Sequence, residues 1–246
     1  FAENMKLHYE RPAEYFEEAL VIGNGTMGAT LYGGVKKDKI SFNDITLWTG
    51  EPESENSSPD AFNAIPEIRA LLDNEAYQGA DKAQYKVQGH YSENYQPLGT
   101  LTIEYLDDTV GISDYHRWLD IGNATARTQY LKGGKLFTSD YFASAPDSVI
   151  VIRLKSENKE GIHALLSFDS PLPHSSQVAD NEISVEGYAA YHSFPVYYKA
   201  EDKHRYDPER GIHFKTLVRV LSVDGRVKNR YSDSRIEIDG STEVLI

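Results

Sequence analysis

Asn43, Trp48, Thr49 and Gly50 are the residues whose types and spacing come nearest to a binding chemistry. A tryptophan beside a glycine and hydroxyl-bearing residues in a loop can stack on a sugar ring, with Asn43 and Thr49 reaching the ring hydroxyls. The same residues also suit a structural part, with Trp48 as a core or interface aromatic and Gly50-Glu51-Pro52 as a turn. Gln96, in Gln96-Pro97-Leu98-Gly99, has similar standing: its amide can donate to and accept from hydroxyls, or it can pack beneath the neighbouring elements. These five are the candidates for a substrate rim or a domain interface.

Catalytic and metal chemistry find less support. Paired-carboxylate catalysis needs two carboxyl groups facing one bond, ~5 to 9.5 Å apart. Asp107-Asp108 are neighbours in a turn and point apart, so no catalytic residue is assigned. Gly23-Asn24-Gly25 with Gly28 is glycine-rich, but it lacks the Lys-Ser/Thr of a phosphate loop and reads as a tight turn. The eight histidines, His90, His116, His174, His192, His204 and His213 among them, show no HxxxH spacing or other ligand cluster. No metal and no cofactor is expected, and the mixed-charge stretch from Glu201 to Glu209 reads as a solvated loop. The absence of cysteine excludes disulfides, thiolate metal sites and cysteine nucleophiles.

The elements that must position these residues are mostly strands. Ser148 to Leu154, Ile162 to Phe168, Glu182 to Glu186 and Ile212 to Leu221 are β-branched or alternating and are bounded by turn residues. Ala126 to Tyr141 reads as a hairpin turning at Gly133-Gly134. From about Pro59 to Gly89 the period changes. Ile65, Ile68 and Leu72, then Ala76, Ala80, Ala83 and Val87, follow helical spacing, with Pro66 placed for a first turn. The pattern predicts a mainly β fold, a large antiparallel β-sandwich of the super-sandwich type, with a short two-helix insertion near residues 60–89. Gly240 to Ile246 reads as a strand that the chain leaves unfinished.

The chain's 246 residues can bury a full core. A net charge of −13 with no basic stripe disfavours nucleic acid and anionic lipid heads as partners. Mean hydropathy is −0.52, and no apolar run approaches the ~20 residues of a membrane span. An acidic surface does not disfavour a neutral sugar, and 17 tyrosines supply flat faces with polar tips. Phe1-Ala2-Glu3-Asn4 has neither the basic start nor the apolar stretch of a signal peptide.

Four stretches resemble glycoside hydrolase family 95, the α-L-fucosidase family. They are Ala19-Leu20-Val21-Ile22-Gly23-Asn24-Gly25-Thr26-Met27-Gly28-Ala29, Ile40 to Pro52 around Thr46-Leu47-Trp48-Thr49-Gly50, Tyr95-Gln96-Pro97-Leu98-Gly99-Thr100-Leu101, and Tyr115-His116-Arg117-Trp118-Leu119-Asp120-Ile121. Their order and spacing cover roughly Glu10 to Ser170, with Phe142 to Asp147 a weaker match. Asp44 stands where the family has Glu, and Thr26-Met27 replaces Arg-Leu. The resemblance implies an N-terminal β-sandwich domain, here residues 1–246, cut off before a linker and an (α/α)6 barrel. That barrel would carry the acid and base, act with inversion on terminal α-linked fucose or α-L-galactose, and be this domain's partner. A fucosylated oligosaccharide or glycan would be the ligand of the full enzyme, and the compartment periplasmic or secreted. Asn24-Gly25-Thr26, Asn56-Ser57-Ser58 and Asn123-Ala124-Thr125 then read as coincidental sequons in a protein resembling a bacterial family.

Three functions compete at this level. The first is a non-catalytic domain that packs on the barrel, lends loops to the sugar pocket and exposes an apolar patch where it docks. The second is an independent carbohydrate-binding module, motivated by Trp48, Trp118 and the tyrosines. The third is an unrelated adhesion-type sandwich.

Overall fold

The computed structural model describes residues 5–52, 60–89 and 91–246, and the expectations for Pro59, His90 and the Asn56 sequon fall outside them. The chain forms two compact units. One takes in the chain up to Trp48, Tyr95–Ala189 and Ile212–Ile246; the other is Thr49–Asn94 with Ala190–Gly211.

The first unit is an antiparallel β-sandwich. One seven-stranded sheet runs, in spatial order, Lys6–Tyr9, Ile112–Asp120, Thr125–Lys132, Lys135–Ser144, Val149–Ser156, Glu243–Leu245 and Leu221–Ser222. The second runs Arg226–Arg230, Arg235–Ser241, Ile162–Asp169, Gly99–Tyr105, Lys37–Asp44, Met27–Leu31 and Leu20–Gly23. A three-stranded sheet holds His174–Ala179, Glu182–Tyr188 and His213–Arg219. Alternation decides which face turns inward: Leu101, Ile103 and Tyr105 are buried while Thr100, Thr102 and Glu104 face outward, and Ile162, Ala164, Leu166 and Phe168 repeat the pattern. These residues share one core with Tyr130, Phe137, Tyr141, Ile152 and Leu154 of the other large sheet.

Two buried polar groups tie this core to the chain around it. Asp38 accepts hydrogen bonds from the Gly34 and Lys39 amides at 2.9 Å and from the Tyr141 hydroxyl at 2.8 Å. Burial nonetheless raises its pKa to about 6, because those bonds offset only part of the cost of desolvating the anion. Arg117 is fully buried; its guanidinium donates to the carbonyls of Arg11 at 2.7 Å and Glu18 at 2.8 Å and lies 4.3 Å from the centre of the Tyr9 ring.

In the second unit, helix α1 (Ala61–Asp73) and helix α2 (Tyr77–Ala83) are followed by a 3-10 turn, Gln84–Val87, and the pair His192–Ser193 and His204–Arg205 forms a short two-stranded ladder. Both helices bury small residues, Ala64 in α1 and Ala80 and Ala83 in α2, while Phe62 is 82% exposed and Leu72 and Tyr77 are also exposed. Among the described residues, no helix is long and apolar enough to cross a membrane.

The hairpin appears as Thr125–Lys132 and Lys135–Ser144, turning at Gly133-Gly134 as the sequence predicts. Two expectations are corrected. Pro66 lies inside α1 rather than in its first turn, because the helix already begins at Ala61, where the Ala64 amide bonds the Asp60 carbonyl at 3.1 Å. Gly240 to Ile246 is not one strand: Gly240-Ser241 ends the strand Arg235–Ser241, and Glu243–Leu245 joins the other large sheet beside Val149–Ser156.

Candidate functional site: an aromatic cleft with committed carboxylates

The second unit holds an open cleft of about 910 Å³. Its lining comes from two stretches far apart in sequence, residues 85–89 with 91–93 and residues 191–210, together with Glu51.

Glu93 organises one wall. Its carboxylate accepts a short hydrogen bond from the Thr49 hydroxyl, a 3.2 Å bond from the Ser193 amide, and pairs with His192 Nδ1 at 2.8 Å. Thr49 is buried, and its oxygen also accepts from the Asn94 amide at 2.8 Å. Gly50 follows with φ of +111°, its amide donating to the Ala190 carbonyl at 3.0 Å. A side chain there would meet Glu93 Cγ at 2.9 Å, so a glycine is what lets the loop pass beside the carboxylate.

Arg210 organises the other side. Its guanidinium grips both oxygens of Glu51, with Nε to Oε2 at 2.9 Å, and lies 3.7 Å from the centre of the Tyr191 ring. The Arg210 guanidinium beside Glu51 holds its carboxyl below the usual carboxylate range. Between these walls stand aromatic rings. Phe194 stacks on Tyr198 at 4.8 Å and meets the His192 ring edge-on at 4.4 Å, and Tyr91 leans on Tyr198 at 5.5 Å. Arg205 lies 5.3 Å from the Phe194 ring centre.

Such a surface offers flat faces and fixed polar groups, which suit a polyhydroxylated ring. It is poorly equipped to cleave one. Of the described lining residues, Glu51 and Glu93 are the carboxylates; one is held ionised by Arg210 and the other is ringed by donors. A general acid must carry a proton that it can release to a leaving group, and the Arg210 guanidinium disfavours one on Glu51.

The five candidates from the sequence are divided between the units. Thr49 and Gly50 support the cleft from beneath by positioning Glu93, and the Thr49 hydroxyl is fully engaged. Asn43, Trp48 and Gln96 belong to the first unit. Asn43 pairs with Gly28 in neighbouring strands, where a side chain at residue 28 would come within 2.6 Å of its Oδ1. Trp48 is 44% exposed, forms a bridge with Tyr95, and donates Nε1–H to the Ile45 carbonyl at 2.9 Å. Gln96 is buried; its amide nitrogens bond the Leu47 and Tyr95 carbonyls.

Sequence reasoning missed Glu93, Tyr91, Phe194, Arg205 and Arg210. The spacing of Tyr191, Phe194, Tyr197 and Tyr198 is the available signal, and the mixed charge around Arg205 hides it in what reads as a solvated loop. For metal ligation, the group of His and Glu side chains that converges among the described residues is His8, Glu10 and His116, in the first unit.

Comparison with known proteins places the whole chain. The family model described as "Glycosyl hydrolase family 65, N-terminal domain" matches residues 7–246. Alpha-L-fucosidase 2 of Arabidopsis thaliana is 29% identical over 242 residues, covering 96% of this chain and 29% of that protein. Probable alpha-fucosidase A of Aspergillus oryzae is 28% identical over 143 residues (56% of this chain, 20% of that protein), and that of Aspergillus niger 28% identical over 169 residues (64% and 21%). This chain therefore spans less than a third of the length of the curated relatives it matches. With a family match running almost from end to end over an antiparallel β-sandwich, the chain belongs to the family of glycosyl hydrolase family 65 N-terminal domains.

Proposed function

We propose that this chain is the non-catalytic N-terminal domain of an α-L-fucosidase-type glycoside hydrolase of family 95, packed on an (α/α)6 barrel of the same polypeptide. In this reading the barrel holds the acid and base that remove terminal α-linked fucose, or α-L-galactose, with inversion. The aromatic cleft of the second unit lies at the rim of the sugar pocket and grips the rest of the glycan. The enzyme is periplasmic or secreted. The observation that carries the reading is the cleft itself, with stacking faces and fixed donors beside carboxylates that are already committed. The names of the relatives support the sugar, and the four family-95 motifs support the finer family. The large apolar side chains left exposed on α1 and α2, Phe62 above all, support a docking surface.

Steady-state kinetics of the full-length enzyme test this. Tyr91→Ala and Phe194→Ala each raise KM about tenfold and leave kcat within about twofold, because they remove binding that is equal in ground and transition states. A thousandfold fall in kcat with KM unchanged would place chemistry in this domain and end the proposal.

The cleft lies within one unit, which also favours a second reading, an independent carbohydrate-binding module. Full-length kinetics unchanged by Tyr91→Ala, with sugar binding by the chain alone abolished by it, select that alternative.

A further inference from the structure

We propose that His8, Glu10 and His116 form a divalent transition-metal site on the outer face of the first large sheet, of the kind that takes Zn2+. The strand register builds it. His8 and Glu10 are two residues apart, so they share a face, and the pairing of His8 with Trp118 and Tyr9 with Arg117 brings His116 diagonal to His8 and opposite Glu10. The ligand atoms of all three lie within 4.8 Å of one another, and His8 Nε2 stands 3.1 Å from His116 Nδ1. Two imidazole nitrogens on one tetrahedral zinc sit ~3.3 Å apart, given Zn–N bonds of about 2.0–2.1 Å. A hydrogen bond between the two rings would satisfy the same separation, so the distance alone does not select a metal.

The carboxylates around the pair favour a cation. Asp114 Oδ1 lies 3.0 Å from His116 Nε2, which keeps the proton on Nε2 and turns the Nδ1 lone pair toward His8. Asp114 reaches that position from a bulge between Ser113 and His116, at a φ of +51° that a residue with a side chain rarely adopts. Sheet geometry is thus distorted at the point that aims a carboxylate at the back of a candidate ligand. Glu10 and Asp114 add negative charge for a cation, while Arg117, the nearest arginine in the strand, is turned inward and buried. Two imidazoles with one carboxylate favour zinc, copper or nickel over magnesium or calcium. The strand Lys6–Tyr9 is a sheet edge, so a remaining coordination position opens to solvent, and a bound ion would clamp this edge to its neighbour.

Calorimetric titration and thermal denaturation of the chelator-treated chain test the site. One equivalent of Zn2+ binds with a Kd of about 10 μM or tighter and raises Tm, whereas Mg2+ does neither. His8→Gln and His116→Gln each weaken binding at least about 30-fold, and Asp114→Asn weakens it about tenfold. All three side chains lie at the surface or partly so, and the variants should match the metal-free Tm of the parent. Should a variant fail to fold, imidazole NMR of the unaltered chain decides: Zn2+ must shift the His8 and His116 resonances together. Absence of saturable binding below about 1 mM, binding undiminished in both glutamine variants, or shifts confined to other histidines overturns the proposal.

Discussion

Glu93 joins two stretches of the cleft wall that lie far apart in sequence. Its bonds come from two separate parts of the second unit, Thr49 in one and the adjacent His192 and Ser193 in the other, so the side chain holds the wall together. Replacing it with glutamine presents an amide N–H2 to groups that already donate. Glu93→Gln is therefore expected to cost about 1–3 kcal/mol in urea denaturation, and Thr49→Val a similar amount. The double variant should cost less than the two single losses added, since both remove the same bond. Thr49 and Gly50 were legible as important but not in their role. The partner that engages Thr49 lies 44 residues away, a separation that local spacing cannot reveal. His8 and His116 escaped for the same reason, being 108 residues apart.

At the scale of elements, period was the dependable signal. The Gly99–Tyr105 and Ile162–Asp169 strands alternate cleanly because one face packs on the core, and the hairpin follows from paired glycines that turn without strain. The start of α1 is not legible from Pro66, because proline often opens a helix, whereas this helix tolerates it further in. Arg117 carried no signal at all: charged residues usually face solvent, and only the N-terminal segment folding over the sheet gives it the Arg11 and Glu18 carbonyls. Arg117→Met keeps the apolar bulk and leaves both carbonyls without their donor. We expect it to lower unfolding free energy by about 2–4 kcal/mol, read by chemical denaturation. Phe62→Ser tests the opposite case. The side chain is exposed, so stability of the chain alone should change by less than about 0.5 kcal/mol, while association with the proposed barrel weakens measurably.

The whole molecule adds a pH dependence of its own. Asp38 has an unperturbed pKa of 3.8 and one of about 6 in the folded chain, so the native state binds its proton where the unfolded chain has released it. Its contribution to stability is fully present below pH 3.8 and is lost as pH rises through about 6, an effect of about 3 kcal/mol. In Asp38→Asn the amide oxygen still accepts from Gly34 and Lys39, since both bond the same carboxylate oxygen, and the difference in stability between variant and parent should shift in the variant's favour across that window. Fold class, the helical insertion and membership among glycoside hydrolase N-terminal domains could be read from the sequence because turn residues, periods and motifs recur locally. The cleft could not, because its walls meet only after the chain has returned. Injecting a fucosylated oligosaccharide into the chain alone in a calorimeter tests the central claim, since one trace reports both binding and turnover. We predict saturable, millimolar-range binding heat that decays to baseline after every injection, lost on Phe194→Ala. Continuing heat from hydrolysis, or a trace with no binding at all, would contradict it.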